Sequence, residues 1–275
     1  LAVTAMQPSI VRRLAAAWLS VALVIISAAG PLAASQRAQT DCVILLHGLG
    51  RRAASMKPMA EALAARGYRV YNTAYPSTEA AVEVLTADYL EPVVRQSRRE
   101  GCPVVHVVAH SLGAVMIRQF LQTRSLPAGS RIVMLAPPNH GSEVADTLSP
   151  WFLYRWFMGP SGLQLGTGPD SLPNRLAPVD ADIGVITGDA SWNLLLSMLI
   201  PGPDDGKVSV ASARLEGMDD FLVLPVTHTF IMQDDEAIAQ TAHFLAYGRF
   251  AHRRGDGVPA DEAGSARTVY RHFER

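Results

Sequence analysis

With 275 residues, 49% of them hydrophobic and 18% charged, the chain is long and apolar enough to bury one large core. A net charge of −1 excludes strong electrostatic steering toward nucleic acid or an acidic membrane surface. No internal repeat and no long low-complexity segment interrupts the pattern.

Arg12 and Arg13 precede an uncharged stretch from Leu14 to Ser35 that closes in small residues after Gly30-Pro31. A basic start, an apolar centre and a small-residue end describe a secretory signal over residues 1–36. The stretch is also just long enough to span a bilayer, so an uncleaved membrane anchor is the alternative. Under the first reading the protein is secreted or periplasmic, and its two cysteines face an oxidising compartment.

Val43–Leu46 is a short apolar run ending in His47-Gly48-Leu49-Gly50, and reads as a strand buried on both faces. Ser55–Arg66 has helical spacing and stops at Gly67. Tyr68–Tyr75 alternates like a second strand, closed by Pro76. Ser77–Glu100 reads as a long helical stretch that Pro92 is expected to kink. Val104–Ala109 is a valine-rich strand. It breaks at His110-Ser111-Leu112-Gly113 and becomes a helix running to Thr123. Arg131–Ala136, Ile183–Thr187 and Phe221–Val226 complete six strands, and a final helix covers Asp235–Tyr247. Strands alternating with helices imply βαβ units and a parallel sheet. Residues 38–252 are thus expected to form one α/β domain, and the charged, Gly-rich residues 253–275 a flexible tail.

The gap at about 141–182 is too long for a simple connection. It carries Trp151-Phe152-Leu153-Tyr154-Arg155-Trp156-Phe157-Met158. Aromatic residues this dense on an insertion suggest a lid or acyl-binding wall, with Trp151, Phe152, Trp156 and Phe157 as substrate-binding candidates. A helix packed on the sheet edge and a membrane-facing patch are the alternatives.

Ala109-His110-Ser111-Leu112-Gly113, after a buried strand and before a helix, resembles the nucleophile elbow of the lipase and esterase branch of the α/β-hydrolase family. Its first residue is Ala instead of the commoner Gly. The resemblance implies the minimal α/β-hydrolase fold, a six-stranded, mostly parallel sheet. It also implies a triad in the chain order Ser, acid, His. In that fold the strands after Cys42 and Cys102 are parallel neighbours. A disulfide and two free half-buried thiols both remain open for that pair.

Ser111 is then the expected nucleophile. His228, just after the last strand, is the expected base, since the family's histidine occupies that loop. His106 lies inside a strand and reads as a core residue, and His110 should point away from the Ser111 hydroxyl. His140 comes too early in the chain. His243 lies on the last helix, and His252 and His272 in the tail. Asp204-Asp205-Gly206-Lys207-Val208 is similar to the Asp-Gly-x-Val segment that carries the acid in several lipase branches, and the match falls on Asp205. Asp189, at the end of the preceding strand, and Asp204 are the competing choices. Leu49 and Leu112 are expected to donate backbone N–H groups to an oxyanion. His47 should hold the donor loop. Arg51 and Arg52 either meet a substrate charge or are simply solvated.

No metal-ligand spacing and no phosphate-binding loop stands out, so no cofactor is expected. The reading is therefore a serine hydrolase of small-molecule or lipid carboxylic esters, with membrane-surface contact as an option. An acyltransferase, thioesterase or amidase would use the same triad. A non-catalytic binding scaffold is the remaining class.

Overall fold

In a computed structural model the protein is described over residues 40–252. The expected signal or anchor at 1–36 and the tail at 253–275 lie outside the described residues. Six strands form one parallel sheet: β1 (Cys42–Leu46), β2 (Arg69–Thr73), β3 (Val105–His110), β4 (Arg131–Leu135), β5 (Asp182–Gly188) and β6 (Asp220–Leu224). Their spatial order is β2-β1-β3-β4-β5-β6. β1, β3, β4 and most of β5 are buried on both faces, which is why they read as unbroken apolar runs and not as alternation. β2 lies at an edge and is only half-buried.

Helices cover both faces. On one side α1 (Lys57–Ala64) lies with the last helix around Val43, Leu45, Val108, Val133 and Phe244. On the other, α2 (Val82–Leu85), α3 (Glu91–Arg99) and α4 (Leu112–Leu121) enclose Ile44, Leu46, Val107, Leu90, Val94 and Met116. The stretch read as one kinked helix is interrupted by a π turn over Thr86–Leu90, immediately before Pro92. Proline has no N–H to continue the i→i−4 ladder, and a wider turn absorbs the mismatch. The insertion after β4 folds into α5 (Glu143–Leu148), α6 (Phe152–Leu163) and α7 (Leu172–Arg175). A second excursion holds α8 (Leu194–Ser197) and α9 (Val210–Ala213) between β5 and β6. β6 is followed by α10 (Asp235–Tyr247), N-capped by Asp234, whose side chain accepts from the Ala237 N–H. Among the described residues no helix is long and apolar enough to cross a membrane.

Cys42 and Cys102 form a disulfide with a Cα–Cα distance of 5.8 Å. It sits where β1 and β3 begin, at the end of the sheet opposite His47 and Ser111. It closes a separation of 60 residues, for which loop entropy alone gives about 4 kcal/mol. A double Cys42→Ala, Cys102→Ala variant is expected to lose that order of stability in urea unfolding. An unchanged midpoint would contradict it.

Candidate active site

The parallel register sets Leu46 beside Ala109, so the His47–Gly50 loop and the His110–Ser111 turn emerge side by side. Ser111 has φ 53° and ψ −116°, a conformation that costs a non-glycine residue about 1–3 kcal/mol. Its N–H is held by the Leu135 carbonyl at 2.9 Å, which locks the turn. The helix that follows presses on β1: a Cβ at Gly113 would lie 2.7 Å from the Leu46 Cβ and 2.9 Å from its carbonyl oxygen. Only glycine permits this approach, and it brings the first turn of α4 against the His47–Gly50 loop. Leu112 opens α4, so its N–H has no intrahelical acceptor.

His228 follows β6 and reaches both neighbours of interest. Its Nε2 is 2.9 Å from the Ser111 Oγ and its Nδ1 is 2.8 Å from the Asp205 Oδ2. The carboxylate therefore selects the tautomer with the proton on Nδ1, leaving Nε2 to accept from the serine hydroxyl. Asp205 is in turn fixed by its other oxygen, which accepts the N–H groups of Lys207 at 3.0 Å and Val208 at 2.9 Å. The His228 N–H donates to the Asp205 carbonyl at 2.9 Å, so backbone and side chain align together. Ser111, His228 and Asp205 are all buried.

The competing aspartates lie elsewhere. The Asp204 Oδ1 accepts from the Ser197 hydroxyl and the Gly206 N–H, and Asp189 is exposed past the end of β5. Leu49 stands between Gly48 and Gly50, and the loop is pinned by the Gly50 N–H on the Ser77 Oγ at 3.0 Å. His47 stacks on Tyr75, with ring centroids 3.9 Å apart, and donates from Nδ1 to the Gly48 carbonyl. The Tyr75 hydroxyl donates to the His47 carbonyl. Arg51 donates to the Thr229 carbonyl at 3.2 Å, while Arg52 is exposed. His106 accepts the Arg131 N–H at 2.9 Å on the sheet, and His140 contacts the exposed Asn174. The His252 Nε2 lies 2.8 Å from the Asp220 Oδ1, His243 faces the Arg249 carbonyl, and His272 is outside the described residues.

Trp151, Phe152, Trp156 and Phe157 are 65%, 73%, 70% and 62% exposed, a projecting apolar cluster and not a helix packed on the sheet edge. The far half of α6 ties it to the His47–Gly50 loop. A Cβ at Gly162 would touch the Leu49 side chain at 3.3 Å, and the Ser161 hydroxyl donates to the Ser77 carbonyl at 2.5 Å.

Three features were not legible in the sequence. His110 donates from Nε2 to the His228 carbonyl at 3.0 Å and so steadies the histidine from behind. Gly48 makes room for it, since a Cβ there would meet the His110 Nδ1 at 2.7 Å. Arg118 on α4 is buried, among the described residues without a carboxylate partner, and donates to the carbonyls of Asn139, Pro173 and Leu176, binding the insertion to the helix that follows Ser111. Adjacency to Ser111 was the one available signal for His110. For the others nothing in the local sequence pointed to a contact partner.

Burial holds His47 and His106 below the usual imidazole pKa, His106 down to about 4, and His110 well below it. Unfolded, all three regain a pKa of about 6.5. Below that pH the unfolded chain takes up protons that the folded chain refuses. Stability is therefore full above about pH 6.5 and falls toward pH 4, by up to about 1.4 kcal/mol per pH unit for each imidazole. Urea midpoints measured across that window should drop steeply. A flat profile would mean these imidazoles are protonated in the fold.

The chain matches the alpha/beta hydrolase family over residues 43–270 and belongs to that family. Among solved structures it is similar to the Bacillus licheniformis lipase BlEst2 in mature form. That match has 20% identity and a TM-score of 0.62, and covers 76% of this chain and 93% of that one. It is also similar to the Pyrococcus furiosus esterase Pf2001, at 18% identity and a TM-score of 0.55, covering 76% and 83%. A metagenomic carboxyl esterase, MGS0156, aligns at 18% identity and a TM-score of 0.51, covering 73% and 68%. At these identities the likeness is one of fold. No curated protein matches the chain.

Proposed function

We propose that the protein is a serine hydrolase of carboxylic esters, of esterase or lipase type. The observation that carries the reading is the unbroken hydrogen-bonded series from Asp205 through His228 to Ser111, ending on a serine held in a strained turn at a helix N-terminus. In this reading His228 takes the hydroxyl proton as the Ser111 Oγ attacks the acyl carbon. The Leu49 and Leu112 N–H groups stabilise the oxyanion. His228 then returns the proton to the leaving alcohol. Water attacks the acyl-enzyme by the same route and releases the acid. The exposed aromatic cluster on α6, tethered to the donor loop, serves as acyl-binding wall or lid. The disulfide, together with the signal-like pattern ahead of the domain, supports a location outside the cytoplasm.

A fluorophosphonate probe tests this directly. It should label the native protein and fail on Ser111→Ala, and equal labelling of both would remove Ser111 as nucleophile. A nitrophenyl ester series on the native protein then sorts the acyl site. Preference for chains beyond about ten carbons, lost in Trp156→Ala, is the expected pattern for an aromatic wall.

A further inference from the structure

The proposed chemistry runs through three side chains, and the buried imidazole of His110 lies against two of the segments that carry it. His110 is the last residue of β3, so its ring rides on the sheet and not on a loop. On one side its Nε2 is 3.0 Å from the His228 carbonyl. A carbonyl only accepts, so the ring proton sits on Nε2. On the other side the ring lies against Gly48: a Cβ there would fall 2.7 Å from the His110 Nδ1 and 2.9 Å from its Cε1. One ring therefore fills the space between the loop that presents Leu49 and the residue that bears the base.

His228 itself sits in a loop, where a side chain is held in place only by what grips its backbone. Both of its backbone groups are gripped. Its N–H donates to the Asp205 carbonyl at 2.9 Å, and its carbonyl takes the His110 proton. Without the second contact the residue is free to pivot about the first. The ring that supplies this contact has to stay neutral. With Nε2 donating, a second proton would sit on Nδ1, which has no hydrogen-bond partner among the described residues. Burial, and then the neighbouring His228 with ring centroids 5.1 Å away, hold His110 well below the usual imidazole pKa. One imidazole of the pair thus takes up and returns the proton while the other keeps a fixed geometry.

We propose that His110 is a positioning residue of the hydrolysis: its ring, hydrogen-bonded to the His228 carbonyl and packed on Gly48, keeps the base and the Leu49 loop in register with each other. It touches no reacting atom. Its donor hydrogen acts through His228, and its bulk acts through Gly48. This rests on the serine-esterase reading above and adds one residue to its machinery.

The test measures kcat and KM on nitrophenyl butyrate for the native protein and for variants at position 110, with urea midpoints alongside. His110→Leu keeps most of the bulk and removes the donor. It should lower kcat by about tenfold to a hundredfold, the cost of a slightly misplaced base, with KM changed by less than about twofold. His110→Gln places an amide N–H near the Nε2 position and should restore kcat close to the native value. His110→Asn, whose shorter amide ends near the Nδ1 position, should not, and it makes the same comparison if the leucine variant does not fold. A role in stability alone would move the midpoints without producing this donor-dependent order of kcat. A double-mutant cycle tests the contact with Gly48. Gly48→Ala should lower kcat roughly tenfold beside His110 and have little further effect in His110→Ala, where the ring it strikes is gone. Equal kcat for the donor and non-donor variants, or additive losses in the cycle, overturns this inference and leaves the esterase reading standing. No turnover by the native protein overturns the esterase reading, and this inference with it.

Discussion

Ser111→Ala should abolish ester turnover, lowering kcat by about 10⁶-fold, while leaving the fold intact. In the proposed mechanism the acyl-enzyme forms on the Oγ that lies 2.9 Å from the His228 Nε2, so no partial route remains. Substitution removes one buried oxygen and no core contact, and alanine is no worse suited than serine to the positive φ of the turn. Unfolding midpoints should therefore stay close to the native value, so that lost activity cannot be ascribed to lost structure. Residual turnover above about a thousandth of the native rate would point to another nucleophile.

Asp205→Asn should cost about 10⁴-fold in kcat. The amide cannot stabilise an imidazolium on His228. If it turns its NH2 toward Nδ1, it favours the tautomer whose proton sits on Nε2, which can no longer accept from Ser111. Asp189→Asn should change kcat by no more than a few-fold, since Asp189 is exposed beyond the end of β5. Steady-state rates for the two variants on one nitrophenyl ester decide the matter. The reverse ordering would transfer the acid role to Asp189.

Much of this architecture was written in local pattern. Continuous apolar runs announced doubly buried strands, and their alternation with helical spacing announced a parallel sheet. Small residues at 109 and 113 marked the point where strand and helix must pass closely. That approach is physically obligatory: the Leu46 carbonyl leaves no room for a side chain at Gly113. The π turn ahead of Pro92 was visible only as a kink, because periodicity locates a proline break but not the ladder that replaces it.

From the sequence alone came the six strands and the strand-to-helix break at Ser111, because each of these follows from short-range spacing and steric limits, while His228 was singled out by what the family resemblance of that break implies. The tertiary structure alone decided which aspartate meets His228. Asp204 and Asp205 are chain neighbours in one turn, yet their carboxylates face different partners, and composition is blind to that direction. It also decided that Cys42 and Cys102 pair and that His110 braces His228. Those facts depend on parallel register and on loops from distant parts of the chain meeting at one end of the sheet, and no window of neighbouring residues contains that information.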